Sequence, residues 1–282
     1  MRSIYKRPAE LAAMVPAGRL TAAALDAVEA AVAPGVTTLE LDAIAERTIR
    51  AAGGEPNFAL VEGYSHAICA SVNDAVVHGI PDARPLEPGD LVSIDAGALL
   101  DGWNGDSART FLVPGGGPAR EREALRVSEA ARIAMWAGIA ALAGGRHLGA
   151  VGAAVEDAVD ALAEEQGRPL GILEDYAGHG IGRVMHEEPE VLNYRARGHG
   201  AVIRPGLCVC IEPMVTGGDG QVGEDRDGWT VRTLDGSLGA HWEHTVLVHR
   251  GGLWVSTAAD GGAEGLRAHG IAPVLPEGAQ PA

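Results

Sequence analysis

Asp95 lies inside LVSIDAG, a run apolar enough to be a buried strand, where a lone carboxylate is costly unless something pairs with it. The pattern recurs at Glu212 inside CVCIEPMV and at Glu243 beside Trp242 at the head of HTVLV. Asp106 follows Asp95 closely enough that a hairpin through DGWNG sets their strands side by side. No lysine is near these acids, because Lys6 is the only one in the chain. Carboxylates converging in a core repel one another unless cations hold them together. A pair of divalent ions ~3.5 to 4 Å apart, bridged by carboxylates, is the economical solution. Adding His179 from GHGIGRVMHEEP gives four carboxylates and one imidazole, a donor set suited to Mn, Fe, Co or Zn.

The 282 residues are enough for one large domain or two small ones, and at 46% hydrophobic the chain is built to fold. With 4% aromatics the core must come mostly from Ala, Val, Leu and Ile. A formal charge of −16 argues against DNA or an anionic membrane surface as the main partner. No signal-peptide h-region opens the sequence, and the most apolar run, IAMWAGIAALAGG, is shorter than the ~20 residues of a membrane span. Three cysteines, Cys69, Cys208 and Cys210, form no zinc-knuckle pattern and suit a reduced, cytoplasmic setting. Cys208 and Cys210 read as strand packing, as do His241, His244 and His249.

A helix through LTAAALDAVEAAVA breaks at Pro34-Gly35, and a second opens at VTTLELDAIAERTIRAAGG, where Thr37 and Glu40 have capping-box spacing. The order returns with helices through EREALRVSEAARIAMWAGIAALA and HLGAVGAAVEDAVDALAEEQG, separated at Gly144-Gly145. Strand-like runs follow each pair: HAICASVN, DLVSIDAGAL and SARTFLV, then LCVCIEPMV, WTVRTL and EHTVLVH. Two related α+β halves, about 9–113 and 119–255, make a single domain over 1–256. Residues 257–282, rich in Gly, Pro and Ala, read as a flexible tail.

The segments SVNDAVVHGIP, SIDAG with GDSARTF, GHGIGRVMHEEP, IEPMV, DGWTVRT and EHTVLV occur in an order and spacing that resembles the type I methionine aminopeptidases, from about Ala9 to Val255. The resemblance implies the pita-bread fold, with pseudo-twofold halves, and a dinuclear site of Asp95, Asp106, His179, Glu212 and Glu243. Within it Asp95 would chelate one ion, Asp106 and Glu243 would bridge both, and His179 and Glu212 would complete the other. Glu212 would move protons, while His78 and His186 would contact the substrate amide and the carbonyl oxygen that becomes negative. Glu187 and Glu188 would position their loop.

The implied activity is removal of an N-terminal methionine from nascent chains when the second residue is small. Tyr64, Cys69, Met185 and Trp229 would line an apolar pocket suited to a thioether. Met185 stands where the family often has Phe, and Ser65-His66 follow Gly63-Tyr64 where Pro is expected. The resemblance also carries the expectations of a monovalent cation near Asn73, of a monomer and of transient ribosome contact. An Xaa-Pro aminopeptidase or prolidase shares fold and ligands but usually carries a large N-terminal domain. A type II methionine aminopeptidase is disfavoured because no large helical insertion separates His186 from Glu212. A non-catalytic binding module on this scaffold would be expected to have lost ligands, and none is missing here.

Overall fold

The computed structural model of the chain describes residues 3–281. Helix α1 spans Pro8–Glu29, eleven residues upstream of the start expected from the sequence. Pro8 has the fixed φ of a first helical turn, and the Glu10 carboxylate accepts the Arg7 backbone N–H at 2.8 Å. The helix runs through Pro16 because Leu11, Met14, Val15, Leu20 and Leu25 along it are buried. By length and composition α1 could cross a bilayer, but most of it is buried within the fold. Helix α2, Thr38–Ala51, opens on the expected box: Thr37 Oγ1 accepts the Glu40 N–H at 3.2 Å, and Glu40 accepts the Thr37 N–H at 2.8 Å.

A four-stranded antiparallel sheet follows, containing β1 (Ile68–Val72), β2 (Leu91–Leu100) and β3 (Trp103–Leu112), with Glu55–Pro56 at its edge. Asp101 and Gly102 form the two-residue turn between β2 and β3, both with positive φ (51° and 73°), as a tight hairpin requires. The register sets Asp95 opposite Ala108 and Asp106 opposite Gly97, so both aspartates are diagonal neighbours on one face.

Helices α3 (Pro118–Gly144) and α4 (Gly149–Gln166) repeat the helix pair. The second large sheet contains β4 (Gly178–Gly180), β5 (Glu187–Val191), β6 (Cys208–Ile211), β7 (His244–His249) and β8 (Gly252–Val255), in the order β8-β7-β6-β4-β5. The expected single strand LCVCIEPMV is two, because Pro213 has no N–H for a ladder and the chain turns at Glu212 before Met214–Thr216. The two sheets are stitched together: Asp106 N–H donates to Thr245 Oγ1 at 3.0 Å, Thr245 Oγ1 donates to Asp106 O at 2.8 Å, and Glu243 N–H donates to Ala108 O at 2.9 Å.

The flexible tail expected over 257–282 is corrected by the structure. Thr257 Oγ1 accepts the Thr245 N–H at 3.1 Å, and helix α5 (Ala263–Arg267) seats a fully buried Leu266 in the core with Trp136 and Val255. Farther along, Leu275 packs beside Leu11 and Met14, while His249 Nε2–H donates to Val274 O at 2.6 Å. His249, read as strand packing, is therefore a tether for this segment. Composition concealed the docking because few apolar residues, widely spaced, suffice to pin a chain that has no periodicity. Leu266→Ala is expected to lower unfolding stability by about 2–4 kcal/mol, and truncation at Ala258 by more. Denaturant melts check this; an unchanged midpoint in both variants would return the segment to a loose tail.

Candidate active site

The hairpin and the second sheet each contribute part of one acidic cage. Oxygens of Asp95, Asp106 and Glu243 lie within 4.8 Å of one another. His179, on β4, places Nε2 3.4 Å from Glu212, 3.9 Å from Asp106 and 4.0 Å from Glu243. The structure thus brings together all five residues read from the sequence as metal ligands. Asp95, Asp106, Glu212 and Glu243 are buried, and Asp95 Oδ1, Asp106 Oδ1 and Glu243 Oε1 have no hydrogen-bond partner. Among the described residues no lysine or arginine pairs with them; only imidazoles approach.

Burial drives the electrostatics. It raises Asp95 to about 7, with His241 opposing the shift and Glu212 adding to it. Burial likewise raises Glu212 to about 7 against the pull of His179. Asp106 and Glu243 are pushed up by burial and by the charges of their neighbours. His179 is lowered by burial, with Glu212 opposing. Its Nδ1–H donates to Gly180 O at 3.0 Å, which leaves a lone pair on Nε2 facing the carboxylate oxygens. A lone pair aimed at carboxylates is repulsive until a cation sits between them. Orphaned oxygens and an imidazole in this tautomer together fit divalent metal.

His186 stands edge-on to His179, ring centroids 4.3 Å apart, on a cleft of about 720 Å³ that His78, His179 and Glu212 also line. His78 has φ of 58° and a pKa lowered to about 4 by burial and then by His241; burial and then His78 lower His186. Both are therefore neutral at neutral pH, each with one N–H to donate. Tyr64, Cys69, Met185 and Trp229 gather in one cluster, as expected, with Phe58, Val61 and Ile80 added. Tyr64 donates its hydroxyl to Ile68 O at 2.8 Å, and the His66 ring meets Asp42 at 3.1 Å, which anchors the Ser65-His66 segment.

With the geometry in place, similarity to known proteins becomes decisive. Residues 12–250 match the family model for metallopeptidase family M24. The chain belongs to metallopeptidase family M24. Among M24 relatives, methionine aminopeptidase 1 of Mycobacterium tuberculosis is 51% identical over 240 residues, which cover 85% of this chain and 89% of the relative. Methionine aminopeptidase 1 of Bacillus subtilis is 38% identical, covering 90% and 98%. The solved methionine aminopeptidase of Rickettsia prowazekii superposes with a TM-score of 0.81 at 35% identity, covering 90% of this chain and 99% of that one. Prolidase from Pyrococcus furiosus shares the fold at a TM-score of 0.65 and 23% identity, with 65% of its chain covered. The architecture is the M24 pita-bread fold, and M24 membership makes the chain a metal-dependent hydrolase.

One feature of this M24 site differs from the sequence reading. His241, read as strand packing, is 1% exposed and turns its unpartnered Nε2 toward Glu212 at 3.7 Å, so a third imidazole borders the cage. Its position two residues before Glu243, on the same side of an extended chain, was the available signal. Asn73, read as lying near a monovalent cation, has its side-chain oxygen already accepting from Leu91 N–H at 3.1 Å and Arg120 at 3.3 Å.

The raised carboxylates give the metal-free protein a defined pH response. Between about 4 and 7 the native state retains protons on Asp95 and Glu212 that the unfolded chain has released, so stability falls as pH rises through that window. Melting temperatures in chelator should follow this fall, while saturating divalent ion, which binds the deprotonated cage, reverses it. Glu243→Gln should raise the metal-free melting temperature and abolish the metal-induced rise. Identical pH profiles with and without metal would exclude the cage as an ion site.

Proposed function

We propose that this M24 hydrolase is a methionine aminopeptidase that removes an N-terminal methionine followed by a small residue, with two divalent ions held by Asp95, Asp106, His179, Glu212 and Glu243. The observation that carries this reading is the acidic cage lying beside an apolar cluster of Tyr64, Cys69, Met185 and Trp229, in which Cys69 is the cross-strand partner of Asp95. Divalent ions in such a cage lower the pKa of water and so supply a nucleophile at neutral pH. Glu212, at the edge of the cage beside His179, accepts a proton from the attacking water and passes it to the departing amine. Neutral His186 donates its N–H to the substrate carbonyl oxygen as that oxygen gains charge, and neutral His78 binds the scissile amide. The rings and sulfur of the Tyr64 cluster offer the apolar wall that a methionine thioether suits.

Met-Ala-Ser and Met-Ser peptides are expected to be cleaved far faster than Met-Arg-Ser or Met-Leu, and Ala-Pro peptides hardly at all. Rates on this panel across added metals provide the check; preference for the Ala-Pro peptide would favour the prolidase-like reading instead.

His179 and His186 should fail in different ways. His179→Ala loses a metal donor, so metal content and activity fall together, with partial recovery in excess metal. His186→Ala should retain metal and lose ~100-fold to 1000-fold in kcat. Elemental analysis beside turnover decides; metal loss in His186→Ala with retention in His179→Ala reverses the assignment.

A further inference from the structure

We infer that Lys6, the only lysine of the chain, is a positioning residue for His186: it clamps the turn that carries this histidine into the cleft. The inference rests on the reading of His186 as the donor to the substrate carbonyl. The turn, residues 182–187, lies between two voids, the cleft of about 720 Å³ on one side and a second of about 710 Å³, lined by Lys6, Trp103, Arg183 and Val184, on the other. Val184 in the turn is exposed. With little packing on either side, polar bonds must decide where the turn sits.

Those bonds converge on Glu187. Its Oε1 accepts the Arg183 N–H at 2.7 Å, closing the turn into a ring, and its Oε2 accepts from Lys6 Nζ at 2.5 Å. The Lys6 side chain is 8% exposed, so its ammonium is largely removed from water and has one carboxylate partner. The segment carrying Lys6 is itself anchored: Lys6 N–H donates to Gly206 O at 2.7 Å, Tyr5 bridges to Leu207, and the Tyr5 hydroxyl donates to Val202 O at 2.8 Å. On the opposite flank, Arg183 lies 3.7 Å over the Trp103 ring and donates to Gly102 O at 2.9 Å.

The site is shaped for a slender ammonium. A Cβ on Gly182 would lie 2.6 Å from Lys6 Cε and 2.8 Å from Glu187 Oε1, so any larger residue there would push the lysine end and its partner aside. Every other strongly basic side chain in the sequence is arginine, whose planar guanidinium needs more room. A catalytic donor displaced by about 1 Å loses on the order of 100-fold in rate, so a clamp distant from the chemistry is felt in kcat.

The test is a double-mutant cycle on the metal-loaded full chain, with kcat, KM and metal content measured for Lys6→Met, His186→Ala and the pair. Lys6→Met should lower kcat ~10-fold to 100-fold with KM changed less than about threefold and metal content unchanged. In the His186→Ala background it should lower kcat no further. If Lys6→Met folds poorly, Lys6→Met with Glu187→Gln leaves no charge unpaired and should show the same selective loss. Wild-type kcat in the lysine variants, or an equal loss with and without His186, overturns the clamp while His186→Ala alone remains slow. A fast His186→Ala enzyme overturns both the clamp and the role given to His186.

Discussion

Mutual repulsion among four buried carboxylates is the constraint around which this molecule is organised. Among the described residues no lysine or arginine neutralises them: Lys6 is committed to Glu187, and the nearest bases are imidazoles that burial keeps uncharged. A fold that gathers Asp95, Asp106, Glu212 and Glu243 in one place must either keep protons on them or recruit cations. The values near 7 for Asp95 and Glu212 express the first option, and the unpartnered oxygens prepare the second.

Holding such a cage open requires a frame stiffer than the repulsion it contains. The tight turn at Asp101-Gly102 fixes the register of β2 against β3 and therefore the diagonal of the two aspartates. Reciprocal bonds between Asp106 and Thr245, together with Glu243 N–H to Ala108 O, then set the second sheet's donors against the hairpin. The chemistry is distributed by solvent access as well. The cage carboxylates lie deep, whereas His186 sits at the exposed lip of the cleft.

Much of this was legible in the sequence because carboxylates inside apolar strands are anomalous and anomalies stand out. Thr37 and Glu40 announced α2 by a local rule that tertiary packing did not overrule. The start of α1 was missed because Pro16 looks like a breaker, and only burial of Leu11, Met14 and Leu20 carries the helix through it. The segment after Ser256 was misread for the converse reason: its anchors, Leu266, Ile271 and Leu275, are too sparse to make a pattern, and their worth depends on what they meet. For His241 the spacing to Glu243 puts the ring on the acid's side of the chain, but only the assembled sheets bring its Nε2 to Glu212.

The donors are also divided along the chain. Asp95 and Asp106 belong to a local hairpin, whereas His179, Glu212 and Glu243 arrive with the second sheet. A polypeptide emerging during synthesis therefore passes through a stage in which the hairpin can close but its two aspartates have no partners for a shared ion. In the site proposed here, ion capture has to follow the meeting of the two halves, so a bound ion would mark a chain whose halves have already joined.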